Sequence, residues 1–198
     1  MRKVLDFLER FCALDEGTVN WLHNNAERIE CKKNSKLLDE GQICDYVWFI
    51  EKGLLRAYEK LPNGKVSCNW FMKENDIATA VSSFFTATPS RDVVETEEDC
   101  VLWRVSRKEL FEGFLNHPRL TILTLLMVVR YYCQVYKWAS FLRKGPQGQD
   151  EMFADLVQND PQLLQRVTAK DMASFMGISD PTYDNVKNNH WGRKSKKR

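Results

Sequence analysis

No apolar run in this 198-residue chain is long enough to span a membrane; the longest, Leu120 to Val129, covers ten residues and includes two Thr. The N-terminus, Met1-Arg-Lys-Val-Leu-Asp-Phe-Leu-Glu-Arg, places acids and bases where a signal peptide needs an unbroken apolar stretch, so a cytoplasmic protein without membrane contact is expected. Histidine is scarce, with His23, His117 and His190 scattered and no H-E-x-x-H spacing. The six cysteines lie 13 to 33 residues apart, with no C-x-x-C pair to hold zinc or an iron–sulfur cluster. They read most simply as small buried apolar residues rather than disulfides or ligands. The phosphate-cradling Walker A and G-x-G-x-x-G patterns and the G-x-S-x-G nucleophile elbow are absent too. Together these gaps argue against an enzyme of familiar type and against a metal site.

What is present is enough apolar material, 43% of residues, to bury real cores in one large or two small domains. The net charge of +2 conceals a split. From Gln165 onward eight Lys and Arg face three Asp, a net +5, which leaves −3 on residues 1–164. A basic end suggests a polyanion partner or, more blandly, a solubilising tail.

Periodicity then divides the chain. Arg2 to Phe11 and Glu16 to Ala26 read as amphipathic helices. From Ile29 the pattern turns to strands: Tyr46 to Ile50, then Leu54 to Leu61 and Lys65 to Phe71 around Pro62-Asn63-Gly64, then Asp92 to Thr96 and Cys100 to Val105. Asn-Gly predicts positive φ angles and a tight hairpin, and six to eight short strands at this spacing predict an antiparallel roll or barrel. Ser106-Arg-Lys-Glu109 is an S-x-x-E capping box that opens a helix.

Pro118 opens a long helix ending near Arg143. Ile122, Leu126, Val129, Cys133 and Tyr136 form one apolar stripe; Leu125, Val128, Tyr132, Val135, Ala139 and Leu142 form a second. One stripe is expected to pack on the roll and the other on a partner helix, in a homodimeric coiled coil. The alternative is a helix buried within a monomer. Gly145-Pro-Gln-Gly148 reads as a hinge, followed by a helix from Glu151 to Gln158 and a short turn from Pro161 to Arg166. Thr168 caps a helix from Ala169 to Met176, Gly177 ends it, and Ser179 caps the next, with Pro181 in its first turn. A helix, a Gly-containing turn and a second helix make the helix-turn-helix signature, with Ala173 where the helices cross.

This order resembles the Crp/Fnr family of bacterial transcription regulators. The resemblance rests on Asp45-Tyr-Val-Trp-Phe-Ile-Glu-Lys-Gly53-Leu-Leu-Arg56, on Asn63-Gly-Lys65 and Asp76, and on Arg166-Val-Thr-Ala-Lys-Asp-Met-Ala-Ser-Phe-Met-Gly-Ile-Ser179. Leu163-Leu-Gln-Arg-Val167 resembles a short branch of the family that ends just after the recognition helix, without a β-hairpin wing. The resemblance implies an α+β protein. Its parts are a cyclic nucleotide-binding-like antiparallel β-roll (a double-stranded β-helix) with flanking helices over 1–117, a dimerisation helix over 118–144 and an all-α helix-turn-helix domain over 149–198. It also implies double-stranded DNA, a second copy of the chain, RNA polymerase and a small-molecule effector as partners. The other reading is a ligand-binding or protein-interaction module with a vestigial helix-turn-helix.

Two departures from the family pattern stand out. Members that bind cyclic nucleotides carry Gly-Glu, a short helix, then Arg-Ser/Thr-Ala, so that backbone amides and Arg meet the phosphate while Glu takes the ribose. Here the matching residues are Thr79-Ala80 and Ser90-Arg91-Asp92, with Arg91 one position late and thus turned to the other face of the strand. No cAMP or cGMP binding is expected, and with only Cys12 near the N-terminus no iron–sulfur cluster either; no cofactor is expected. Thr79, Ala80, Ser82, Ser83, Ser90, Arg91 and Tyr132 are the candidate effector pocket, though the polar run from Ser82 to Ser90 reads equally as a solvated loop. The second departure is the recognition helix, where Asp180, Pro181, Asp184 and Asn185 stand at positions usually holding Arg, Lys or Glu. Candidate DNA contacts are Thr168, Ser179, Thr182, Tyr183, Asn185, Lys187, Asn188, Arg193 and Lys194.

Overall fold

A computed structural model describes residues 1–195 of the chain, with side chains through His190. The architecture is α+β. Helices α1 (Arg2–Leu8) and α2 (Glu16–Asn25) precede strands β1 (Glu27–Cys31), β2 (Lys36–Leu38), β3 (Tyr46–Lys52), β4 (Leu55–Lys60), β5 (Val66–Met72) and β6 (Ile77–Ala78). A short helix α3 (Val81–Thr86) leads into β7 (Asp92–Thr96) and β8 (Cys100–Ser106). Six helices follow: α4 (Arg107–Asn116), α5 (Pro118–Arg143), α6 (Pro146–Asn159), α7 (Leu163–Arg166), α8 (Ala169–Phe175) and α9 (Asp180–Ser195).

The strands form two four-stranded sheets, ordered β1-β8-β3-β6 and β2-β7-β4-β5. All the registered pairings are antiparallel, as a roll requires. Alternation sorts their side chains. Trp48, Ile50, Leu102, Leu55 and Val94 bury themselves in the roll interior with Cys44, Phe84 and Leu110. Phe49, on the opposite face of β3, joins a second cluster built by Val4, Phe7, Leu8, Leu22 and Leu123. The capping box forms as expected: Ser106 Oγ accepts from Glu109 N, and the Glu109 carboxylate accepts from Ser106 N at 3.1 Å.

The chain divides into two compact units. Met1–Lys60 and Asn69–Val129 make the first; Leu61–Cys68 and the chain from Arg130 onward make the second. In the second, Ser174 of α8 uses its hydroxyl twice on the strand segment, accepting from Cys68 N at 2.9 Å and donating to Val66 O at 3.0 Å.

Three local expectations are corrected. The β4–β5 connection is not a two-residue turn with both central φ angles positive. Only Gly64 has positive φ (+77°), and Gly64 N donates to Leu61 O at 2.9 Å. Pro62 fixes its own φ near −65°, which selects a type I turn followed by a left-handed Gly. The hinge is also shorter than Gly145-Pro-Gln-Gly148. Gly145, with φ +59°, breaks the chain alone, and α6 begins at Pro146, where a missing N–H costs nothing. Gly148 lies inside α6 for a packing reason, since a Cβ there would stand 1.8 Å from the Phe141 carbonyl oxygen.

The third correction concerns α5. Its buried residues are Leu120 and Leu123, with Met127 packed at the edge of the α1–α2 cluster. Neither predicted stripe is buried. Ile122, Leu126, Val129 and Tyr136 are 45%, 37%, 49% and 60% exposed, and Cys133 is exposed as well. Leu125, Val128, Tyr132, Val135 and Leu142 of the other stripe are likewise exposed. At 3.6 residues per turn the two stripes adjoin and merge into one apolar arc of about 200°, with the packed row opposite it. A period fixes a face but not which neighbour covers it.

Candidate functional site

The cassette segment runs from the end of β6 through α3 to the start of β7. Ala80 is buried at the head of α3 and offers no side-chain cap, and Ala87 ends the helix with φ +53°. Thr79 Oγ1 donates to Tyr46 O at 3.1 Å and lies 3.4 Å from the Sγ of Cys44, which is fully buried. Ser83 is buried, donates to Thr88 O at 2.6 Å and accepts from Cys44 N at 2.9 Å. The buried Ser90 donates to Asp92 O at 2.9 Å and accepts from Asp92 N at 3.0 Å. Thr79, Ala80, Ser83 and Ser90 belong to this wall, and its three hydroxyls are bonded to the backbone carbonyls of Tyr46, Thr88 and Asp92.

The other pocket candidates lie elsewhere. Ser82 is on the exposed side of α3. Arg91 points outward, with a side chain 88% exposed and Nε 4.0 Å from the Glu59 carboxylate. Tyr132 belongs to the second unit, 65% exposed and stacked on Tyr136 at 6.5 Å. The sequence reading missed Arg107, which reaches back from α4. Its Nε donates to Phe84 O at 2.6 Å near the end of α3, and its guanidinium covers the Phe111 ring at 4.9 Å. It also missed the charge network across β4 and β7. There Tyr58 donates to Glu95 at 2.9 Å and lies 4.6 Å under the Arg56 guanidinium, which pairs with Glu95 and Glu97. Burial and the adjacent Glu95 carboxylate push the Tyr58 phenol up to about 12.

In the helix-turn-helix, Thr168 Oγ1 accepts from Asp171 N at 3.1 Å and donates to the Asp171 carboxylate at 2.6 Å, closing the first turn of α8. Met172, Ala173 and Met176 are fully buried, and Ala173 occupies the position expected to need a small side chain. Gly177, with φ +66°, ends the turn, and Ile178 N donates to Ala173 O at 3.0 Å. Ser179 Oγ caps α9, accepting from Thr182 N at 3.3 Å, and sits 2.7 Å from Thr182 Oγ1.

One candidate contact is overturned. Tyr183 is 3% exposed and packs edge-on against the fully buried Phe153 of α6 at 5.9 Å, so it is core rather than interface. Its spacing of three from Val186, also buried, was the available signal. Asp180, Pro181, Asp184, Asn185, Asn188 and Asn189 make the exposed side of α9; Thr182 and Lys187 are half-buried. The side chains of Arg193 and Lys194 lie outside the described residues. The described residues hold no cluster of three or more His, Cys, Asp or Glu arranged for a metal, and no helix among them is long and apolar enough to cross a membrane.

Residues 28–117 match the family described as cyclic nucleotide-binding domain. No curated protein matches the chain by sequence. Solved structures do match in fold. FixK2 from Bradyrhizobium japonicum is 17% identical with a TM-score of 0.70, over 84% of this chain and 86% of its own. The c-di-GMP responsive global regulator CLP from Xanthomonas campestris is 13% identical with a TM-score of 0.68, over 91% of this chain and 93% of its own. A protein from Eubacterium rectale described as a transcriptional regulator of the Crp/Fnr family is 14% identical with a TM-score of 0.67, over 91% and 85%. Residues 28–117 thus match the cyclic nucleotide-binding domain, and the fold is similar to that of solved Crp/Fnr-type transcription regulators.

Proposed function

We propose that this chain is a homodimeric, DNA-binding transcription regulator whose roll answers to something other than cAMP or cGMP. The observation that carries the reading is the intact helix-turn-helix. Its cap, crossing alanine and left-handed glycine are all in place, and they hold an α9 with one buried and one polar exposed side. The apolar arc on α5 supplies the dimer seam, since so wide an exposed apolar surface on one helix asks for a partner. Two copies related by a two-fold axis would set their α9 helices at half-sites about 34 Å apart.

Against a cyclic nucleotide stand the chemistry and direction of the cassette side chains. Ala80 has no carboxylate for a ribose hydroxyl, Arg91 extends outward beside Glu59, and the hydroxyls of Ser83 and Ser90 are spent on backbone partners. The one basic side chain of the cassette, Arg91, is turned away, and the neighbouring Arg107 guanidinium is bonded to Phe84 O. CLP is described as responsive to c-di-GMP, but nothing on this chain's wall argues for that dinucleotide.

A second reading, a protein-contact module, draws on the acidic character of the exposed side of α9. Retardation of promoter fragments from the source genome at about 100 mM salt separates the two. Specific, salt-sensitive shifts support the regulator; their absence leaves the contact module. Calorimetric titration with cAMP tests the cassette, and micromolar binding would overturn that part.

A further inference from the structure

We propose that Asp184, Asn185 and Asn188 form the base-reading row of α9 and that it selects adenine and cytosine rather than guanine. The inference rests on the regulator reading above and names the sequence class of its DNA. The structure narrows the candidates by elimination. Tyr183 and Val186 are buried, and Tyr183 is held on Phe153. Thr182 and Ser179 are bonded to each other at the start of the helix. Of the exposed residues, Asp184, Asn185 and Asn188 lie nearest the middle of the side opposite the core; Asp180 and Asn189 stand at its two edges, Pro181 has no hydrogen-bonding side chain, and Lys187 is half-buried. The rise from residue 184 to 188 is about 6 Å, close to two base steps of about 3.4 Å. A helix lying in the major groove can therefore present the row to successive base pairs.

The donors and acceptors then decide the bases. A carboxamide matches adenine, its carbonyl accepting from the N6 amine while its NH₂ donates to N7. A carboxylate only accepts, so Asp184 is repelled by phosphates and by guanine O6 and N7, and gains only from an exocyclic amine such as cytosine N4. The described exposed row contains neither Lys nor Arg, so it lacks the bidentate donor pair that guanine rewards. The same row that disfavours backbone phosphate restricts which bases it tolerates.

The test is selection of bound duplexes by the full-length protein from a pool with randomised inverted repeats, followed by sequencing. The expected consensus holds adenine at two positions and cytosine at an adjoining one in each half-site. N185A and N188A should each flatten one adenine position, reducing its preference about 5- to 150-fold. D184N should replace the cytosine preference with adenine and tighten binding to all duplexes. Circular dichroism matching wild type confirms that these exposed substitutions leave the fold intact. A guanine-dominated consensus, or preferences unchanged in N185A and N188A, overturns the inference while leaving the regulator reading standing. Loss of retention on every duplex, including at low salt, overturns both.

Discussion

Val129→Glu tests the seam on α5. Val129 is 49% exposed in the single chain and lies between Leu126 and Cys133 of one stripe and beside Leu125 and Tyr132 of the other. Pairing two such helices covers what remains exposed, about half of the 1.5–3 kcal/mol that full burial of a valine contributes. An isologous interface counts the residue twice, so about 2 kcal/mol of association is lost with the methyl groups. Each glutamate adds a desolvation cost of at least about 1 kcal/mol where it meets apolar neighbours. The sum of about 4 kcal/mol is a factor of about 10³ in dissociation constant. Folding of the single chain should stay within about 0.5 kcal/mol, because the site is exposed there. Sedimentation equilibrium at micromolar protein reads the change directly: wild type at twice the chain mass, V129E at the chain mass, with superimposable far-ultraviolet circular dichroism. A V129E mass equal to wild type would place the contact elsewhere and refute the seam.

Other outcomes follow from single sites. Thr168→Ala removes the cap of α8 and should cost about 1 kcal/mol in urea unfolding; Thr168→Ser should recover most of it. Burial raises the Cys100 thiol to about 11 from 9.0, and the thiol is 2% exposed. The unfolded chain therefore loses that proton first, and stability present below pH 9 should fall by up to about 3 kcal/mol as pH rises from 9 to 11. Urea midpoints that do not move toward lower concentration across that window in wild type, while Cys100→Ala behaves identically, would contradict it. Cys133, exposed on α5 only in the single chain, should be shielded in the wild-type dimer and alkylated quickly in V129E, with Cys44, Cys68 and Cys100 protected until unfolding in both; mass spectrometry of labelled peptides gives the order.

Much of the architecture was legible because local chemistry marks element ends. Ser106 and Glu109, Pro118, Thr168 and Gly177 each satisfy or end a helix terminus with their own atoms, and each boundary they imply is present. The inward alternation of Trp48, Ile50 and Leu102 is equally local, since it follows from the pleat. What escaped depends on neighbours distant in sequence. Gly148 reads as a hinge until the Phe141 carbonyl is seen against it, and Tyr183 reads as a polar contact until Phe153 is seen beneath it. The stripes on α5 were found by period, but the side that packs was decided by α1 and α2. Arg91 lies just ahead of β7 rather than within it, so strand alternation does not account for its outward direction beside Glu59.

The cassette and the recognition helix depart from the family pattern in the same chemical sense. In the first, Arg91 is turned outward beside Glu59 and the Ser83 and Ser90 hydroxyls hold the backbone. In the second, the scaffold is complete down to the cap and the crossing alanine, but the exposed row has carboxylates and amides in place of guanidinium groups. Yet Met172, Ala173, Met176, Tyr183 and Val186 still form a closed core under α9. That burial stabilises the fold whether or not the polar row meets a base, so packing alone does not decide between a changed specificity and a lost one. Under the regulator reading proposed above, the bases that the row selects are the measurement that separates the two.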